Sequence, residues 1–331
     1  MKEVWESDTQ VFREKKFDER VINAVVEVKK NKNPDAELEK ISKLKINAVT
    51  IKDENYPKLL KEISDPPALI YIKGEFKSED EISLAIVGAR KFTPYARLVV
   101  EKIVGPLALE HIVIVSGLAL GVDAIAHKET LNQKGRTIAV LGNGLDKIYP
   151  ETNSRLADEI LANGGALISE FPIGTPSFKQ NFPFRNRIIA GLTLGTLVVE
   201  AALQSGSLIT AKAALDYNRE VFAVPGSIFN DNSLGPNNLI KMGAKPVICY
   251  EDVLTELNIE KKSEHNKARK IIPDSKEEAI LLDILSSNPA HIDNLVESSK
   301  LDIVKINQTL VLMEMKGRVK NLGGNQYIIQ K

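Results

Sequence analysis

A chain of 331 residues is long enough for two or three domains with separate cores. Its apolar fraction of 43% and charged fraction of 27% are ordinary, and 44 basic against 44 acidic residues give a net formal charge of zero, so contact with nucleic acid has to come from a local patch. One cysteine, Cys249, excludes an intramolecular disulfide, and four scattered histidines show no zinc spacing, so neither a metal nor a cofactor is expected.

The opening MKEVWESDTQ has no apolar leader, and no apolar run approaches the length of a membrane span, so a cytoplasmic protein is expected. Residues 1–65 alternate charged and apolar residues at helical spacing, with Val21, Ile22, Val25, Val26 and Val28 as one cluster. Asn33-Pro34 and Tyr56-Pro57 divide this stretch into short helices. Asp65-Pro66-Pro67 then forces extended backbone and opens a connecting segment through Tyr71 to Gly74.

From about residue 83 the rhythm becomes strand, glycine turn, helix. LAIVG (84–88), IVIVSG (112–117), TIAVLG (137–142), ALIS (166–169), TLVVEA (196–201) and EVFAVPG (220–226) are continuous apolar runs, as in strands covered on both faces. Six such runs with intervening helices predict a doubly wound, mostly parallel sheet over residues 66–258. The charged stretch 259–275 reads as a linker. In residues 276–331, helical patterns at Glu277–Ser286, Ile292–Ser298 and Ile303–Lys316 precede a hairpin at Leu322-Gly323-Gly324-Asn325, which is the plan of a winged helix. Its candidate basic surface is Lys305, Lys316, Arg318 and Lys320, and contact with DNA or with protein are both open.

In an open parallel sheet, ligands sit beyond the carboxyl ends of the strands. Those ends here are Gly88-Ala89-Arg90, Ser116-Gly117-Leu118, Gly142-Asn143-Gly144, Ser169-Glu170-Phe171, the loop from Glu200 to Ser207, and Pro225-Gly226-Ser227. Glycine lets the backbone turn sharply and approach a phosphate, and Arg90 adds a fixed charge with five donors. Neither a dinucleotide G-x-G-x-x-G after the first strand nor a G-x-x-x-x-G-K-[ST] loop is present. Asp123 and His127, four apart on one helix face, together with Glu170 are the candidates for acid–base work, but no nucleophile or metal set accompanies them. Asp123 is expected to cap its helix and His127 to pack, and no catalytic residue is assigned.

The stretch from Phe178 to Thr210 concentrates the binding signal. Lys179, Arg185 and Arg187 are interleaved at its start with Phe178, Phe182 and Phe184, it closes on Ser205-Gly206-Ser207 before a helix, and Lys212 follows just beyond it. Cations among aromatics hold phosphates while stacking unpaired bases, and a helix N-terminus is a ready anion site. Cations such as Lys179, Arg185 and Arg187 are costly to bury without an anion.

Seven motifs in order, VGARKFTPYA (87–96), SGLALGVDAIAH (116–127), TIAVLGNGLDKIYPETN (137–153), ISEFPIGTP (168–176), FPFRNRIIAGL (182–192), VVEAALQSGSLITAKAAL (198–215) and VFAVPGS (221–227), followed by GPNNLIKMGA (235–244), resemble the DNA-processing protein A (DprA, or Smf) family. ENYPKLLKEISDPPALIYIKG (54–74) is similar to that family's entry into its sheet domain. The resemblance implies an extended Rossmann domain between a helical module like a sterile alpha motif and a winged helix. It implies a non-enzymatic protein that binds single-stranded DNA without marked sequence preference, delivers it to the recombinase RecA in natural transformation, and dimerises through the sheet domain. It places the family's glycine–serine–arginine loop at Gly88-Ala89-Arg90 and its lysine and phenylalanine at Lys179 and Phe182, with Arg185, Asn186 and Arg187 adjoining. Ala89 stands where the family has serine. Gly117 and Ser207 complete the expected DNA contacts. Two other readings use the same residues: a small-nucleotide enzyme or sensor, and a protein-interaction scaffold.

Overall fold

In the computed structural model the described residues are 5–259, 275–285, 290–316, 318–323 and 325–329. Packing divides the chain into two units at Lys261/Lys262. Most of the stretch expected to be a linker, residues 260–274, lies outside the described residues.

The larger unit is built on a nine-stranded sheet of order β1-β2-β6-β5-β4-β3-β7-β8-β9. The strands are β1 (Ile46–Thr50), β2 (Leu69–Gly74), β3 (Ser83–Val87), β4 (Val113–Ser116), β5 (Thr137–Leu141), β6 (Ala166–Ser169), β7 (Gly195–Val198), β8 (Glu220–Ala223) and β9 (Lys245–Pro246). The six runs expected from the sequence are β3 to β8, all parallel. Their continuous apolar character follows from burial on both sides. Leu84 and Ile86 face the helices Pro94–Leu109 and Val122–Asn132, while Ala85 and Val87 share a core with Ile188 and Ile189 of the helix Asn181–Gly191 and Ala211 of the helix Ser207–Asp216.

Two stretches differ from the sequence reading. Within residues 1–65, expected to be helical, Ile46–Thr50 is an edge strand, and Tyr71–Gly74, expected to connect, belongs to β2. They pair with each other antiparallel, and β2 pairs antiparallel with β6. Ile70 and Ile72 point inward while their neighbours are partly exposed, a period-two pattern too short to read beside the Pro66-Pro67 break. Upstream, Asp8, Asp18 and Asn33 cap the helices Thr9–Glu14, Glu19–Asn31 and Pro34–Lys43. Of the five-residue valine and isoleucine cluster expected there, Ile22 is buried, whereas Val21 and Val28 are about half exposed.

The smaller unit packs three helices, Lys276–Ile284, Ile292–Ser299 and Ile303–Met315, with a small sheet of β10 (Ala290–His291), β12 (Gln326–Ile329) and β11 (Val319–Gly323). Ile306, Leu310 and Met313 form the expected buried stripe against Leu281, Leu295 and Tyr327. Three of the four cations of the expected basic surface face carboxylates: Lys305 pairs with Glu277 at 3.8 Å, and Glu278 pairs with Lys316 at 4.0 Å and with Arg318, while the Lys320 side chain lies outside the described residues.

Candidate nucleic-acid interface

β3 and β7 are parallel neighbours, but the chain continues from β3 to β4 on one side and from β7 to β8 on the other. Their carboxyl ends therefore diverge, which opens a crevice at the switch point of the sheet. A cleft of about 660 Å³ lies there, with Gly88, Ala89, Arg90, Lys91, Lys179, Phe182, Arg185, Asn186, Ser207 and Asn232 among its lining residues.

The loop carrying Arg90 is fixed by its backbone. Ala89 N–H donates to the Glu200 carbonyl at 2.6 Å and the Val122 N–H donates to the Ala89 carbonyl at 3.1 Å. Thr93 N–H and hydroxyl both donate to the buried Glu200 carboxylate. Gly88 allows the close packing, since a Cβ there would lie 2.6 Å from Val122 Cγ2. Gly121 has φ 91°, and a Cβ on it would lie 2.2 Å from the Ala89 carbonyl oxygen. A side chain at 121 would thus be strained and would push out the loop that presents Arg90.

Phe182, on the first turn of the helix Asn181–Gly191, is half-buried and ringed by π-active neighbours. Tyr149 lies 5.5 Å away, centroid to centroid, and the Arg90 and Arg185 guanidiniums are 5.7 and 5.9 Å from its centroid. Gly142 accommodates the ring, which a Cβ would approach to 3.1 Å, and Asn181 anchors the helix start by donating to the Gly142 carbonyl at 3.0 Å.

Arg185 lies beneath this ring rather than on the surface: it is 4% exposed. Its guanidinium donates to the Gly117 carbonyl at 2.7 Å and to the Val140 carbonyl, and Nε donates to Asn186 Oδ1 at 3.2 Å. A Cβ at Gly117 would sit 2.7 Å from the Arg185 guanidinium carbon, so glycine there makes room for the charge. Burial lowers the Arg185 pKa to about 10, against the opposing pull of Asp123, and the group stays charged at neutral pH. Asp123 is itself buried and accepts from Gly117 N–H at 3.0 Å and Ala119 N–H at 3.4 Å. Burial raises its pKa, and Arg185 is the largest opposing influence.

Asn186 donates to the Gly206 carbonyl at 3.1 Å, which ties this helix to the Ser205–Ser207 turn. Ser207 opens the helix Ser207–Asp216, whose start has no side-chain cap, and it shares a 2.7 Å hydroxyl contact with Ser205. Its first three N–H groups are already held by the turn, Ser207 N–H by Ser205 Oγ at 3.4 Å and Leu208 and Ile209 N–H by the Ser205 and Gly206 carbonyls at 3.1 and 3.2 Å, so what this end offers an anion is the helix dipole. Arg90, Lys91 and Lys179 are exposed and, among the described residues, have no hydrogen bond or ion pair from their side chains. The cleft thus offers three unspent cations and one carboxylate, Asp123, which already faces Arg185.

Nine of the ten residues expected to contact DNA gather here, Gly117 in a small recess shared with Arg90, Tyr149, Phe182 and Arg185. Arg187 does not. It pairs with Glu170 through two contacts of 2.6 and 2.7 Å and donates to the Asp65 carbonyl at 2.9 Å. The burial of both arginines is matched by protein carboxylates. Phe178 and Phe184 are exposed outside the cleft lining. Tyr149, Lys91 and Asn232 lie in the cleft without having been singled out from the sequence. The position of Tyr149 in the loop beyond β5 was the available signal.

The acid–base candidates each have partners of their own. The Thr137 hydroxyl donates to the Ile114 carbonyl at 2.6 Å, so its contact of 2.7 Å with His127 must be accepted from Nδ1–H. His127 is therefore the Nδ1–H tautomer, fully buried, with Nε2 unpartnered, while Glu170 is held by Arg187.

A doubly wound domain with a cationic, aromatic-lined cleft at its switch point belongs to the class of folds whose strand ends can receive phosphate-bearing ligands. The family described as DNA recombination-mediator protein A matches residues 47–258, and its DprA winged helix domain matches residues 265–325. The chain belongs to the DNA recombination-mediator protein A family. It is 48% identical over 204 residues to Protein Smf of Escherichia coli, a region that is 62% of this chain and about half (54%) of that protein. It is 45% identical over 213 residues to DNA processing protein DprA of Bacillus subtilis, covering 64% of this chain and 71% of that protein. The structure of DNA processing protein A from Streptococcus pneumoniae superposes with a TM-score of 0.65 at 42% identity, over 71% of this chain and 82% of that one. The Helicobacter pylori protein, whose structure is described for its single-stranded DNA binding mode, superposes at 0.58 with 32% identity, over 66% of this chain and 97% of that one.

Proposed function

We propose that this chain binds single-stranded DNA without sequence preference in the switch-point cleft and acts there as a recombination mediator that loads the RecA recombinase. The observation that carries the binding reading is Phe182, flanked by Tyr149 and Arg90 at the mouth of a cleft with three unpaired cations. Arg90, Lys91 and Lys179 neutralise backbone phosphates, a base stacks on the Phe182 and Tyr149 rings, and the start of the helix Ser207–Asp216 receives a further phosphate. Arg185 and Asn186 act beneath, holding the ring and the Ser205–Ser207 turn in place. This is binding rather than turnover. Family membership and the single-strand binding described for the Helicobacter pylori relative support the ligand, and family resemblance supports RecA loading in natural transformation. The same resemblance supports a cytoplasmic homodimer joined through the sheet domain; among the described residues no helix is long and apolar enough to cross a membrane.

Fluorescence anisotropy with an unstructured oligonucleotide tests the binding reading. Arg90→Ala combined with Lys179→Ala should weaken affinity by about tenfold or more and lower the slope of log K against log salt by roughly 1.4, as expected for two lost single-strand phosphate contacts. Unchanged affinity and slope refute it. Tight binding of a mononucleotide with turnover would favour the nucleotide-enzyme reading instead. In the smaller unit, Lys305→Ala with Lys316→Ala should change oligonucleotide affinity less than about twofold, because both cations already face Glu277 and Glu278.

A further inference from the structure

The loop after β8 carries an aromatic side chain that the cleft does not use. Phe229 is 94% exposed and Ile228 beside it 73%. The loop is nevertheless well fixed. Ser227 Oγ accepts from Phe229 N–H at 3.3 Å, and the Ser227 carbonyl accepts from Asn230 N–H at 3.1 Å. Asn230 caps the helix Asp231–Lys241 by accepting from Asn232 N–H at 3.0 Å. Gly226 exchanges two hydrogen bonds of 3.1 and 3.0 Å with the Asn237 side chain.

The same segment is stitched to both sides of the cleft. Asn232, a cleft-lining residue, donates through Nδ2 to the Lys91 carbonyl at 2.9 Å, and its own carbonyl accepts from Ala201 N–H at 2.6 Å. Tyr95 donates to the Pro225 carbonyl at 2.8 Å. Phe229 thus projects from a loop bonded to the one that bears Arg90 and Lys91. A large apolar ring held in water by a hydrogen-bonded turn, three residues from the asparagine bonded to the Lys91 carbonyl, supplies an aromatic face of the kind an unpaired strand stacks on.

We propose that Phe229 is a second base-stacking platform, which extends the single-strand site from the switch-point cleft across Lys91 to the loop after β8. This rests on the single-stranded DNA reading of the cleft. Single-strand sites of this kind span about 4–16 nucleotides, so the two platforms should separate by oligonucleotide length.

The test is a titration of the full chain with oligothymidylates of increasing length. Phe229→Ala should weaken binding of strands of about a dozen nucleotides by about tenfold and leave the shortest strands that bind unchanged, whereas Phe182→Ala should weaken every length. Phe229→Trp should show emission quenched by the long strands and not by the short ones, set against a chain with Trp5→Phe in the same background. Loss at no length, or equal loss at all lengths, overturns the proposal. A fall in sedimentation mass on Phe229→Ala without a length-dependent effect assigns the loop to contact between copies and likewise overturns it. Failure of the unsubstituted chain to bind any strand overturns the cleft reading as well, so the two failures are distinguishable.

Discussion

Arg185→Met is expected to cost about 3–5 kcal/mol of unfolding free energy, the range for leaving a buried charge uncompensated. The side chain is as long as the aliphatic part it replaces, so the loss is not mainly one of volume. Arg185 sits at the point where the loops after β4 and β5 meet the helix Asn181–Gly191, and its guanidinium answers the Gly117 and Val140 carbonyls together. Methionine leaves both oxygens without that donor and leaves the Asp123 carboxylate facing no cation in the interior. Part of the cost is relieved where Asp123, whose pKa burial already raises, takes up a proton, so the loss should shrink as pH falls. Arg185→Lys should fall between the two, since an ammonium keeps the charge but lacks the planar fork that reaches two carbonyls. Chemical denaturation of the three proteins at pH 7.5 reads the order directly. A loss under about 1 kcal/mol for methionine would show that the buried guanidinium and its hydrogen bonds contribute little net stability. Binding should suffer even in the folded fraction, because Phe182 rests on this guanidinium.

This role of Arg185 marks how far the sequence could be read. Strands buried on two faces announce themselves as continuous β-branched runs, so β3 to β8 and the switch-point plan were legible, as were the glycine-lined carboxyl ends. What a linear reading lacks is the partner of each charge. Arg185 and Arg187 stand two residues apart on one helix, in a stretch where every cation could have met a phosphate. The fold sends one beneath the cleft towards Asp123 and the other to Glu170 and Asp65. Those carboxylates are 62, 17 and 122 residues away in sequence, and no local pattern encodes such pairings. Tyr149 escaped for a related reason: its loop follows β5, and only the sheet order brings β5 within reach of Phe182. The antiparallel strands β1 and β2 were missed because short alternating segments carry little periodic signal.

His127 gives a second large effect, this time in acid. Burial lowers its pKa from the ordinary 6.5 to about 3, with the nearby Arg185 charge acting in the same direction. The sign follows from proton counting. Below pH 6.5 the unfolded chain binds a proton at this site and the folded chain does not, so the neutral histidine contributes stability present above 6.5 and lost as pH falls towards 3. The slope approaches about 1.4 kcal/mol per pH unit once the unfolded histidine is mostly protonated. His127→Gln isolates this contribution, because glutamine retains a donor for the Thr137 hydroxyl but does not titrate, while the carboxylates elsewhere titrate alike in both proteins. Between pH 6.5 and 4.5 the stability of the wild-type chain relative to His127→Gln should fall by roughly 2–3 kcal/mol, measured by urea denaturation at each pH. A difference that stays flat over those two units would mean that the folded protein accepts the proton at Nε2 without penalty. That is hard to reconcile with a ring that has no exposed surface, a bare Nε2 and a guanidinium nearby. The unpartnered nitrogen also explains why His127 is a weak candidate for acid–base work. A base that holds its proton only near pH 3 has little driving force to take one at neutral pH, and burial keeps any ligand in the cleft away from it.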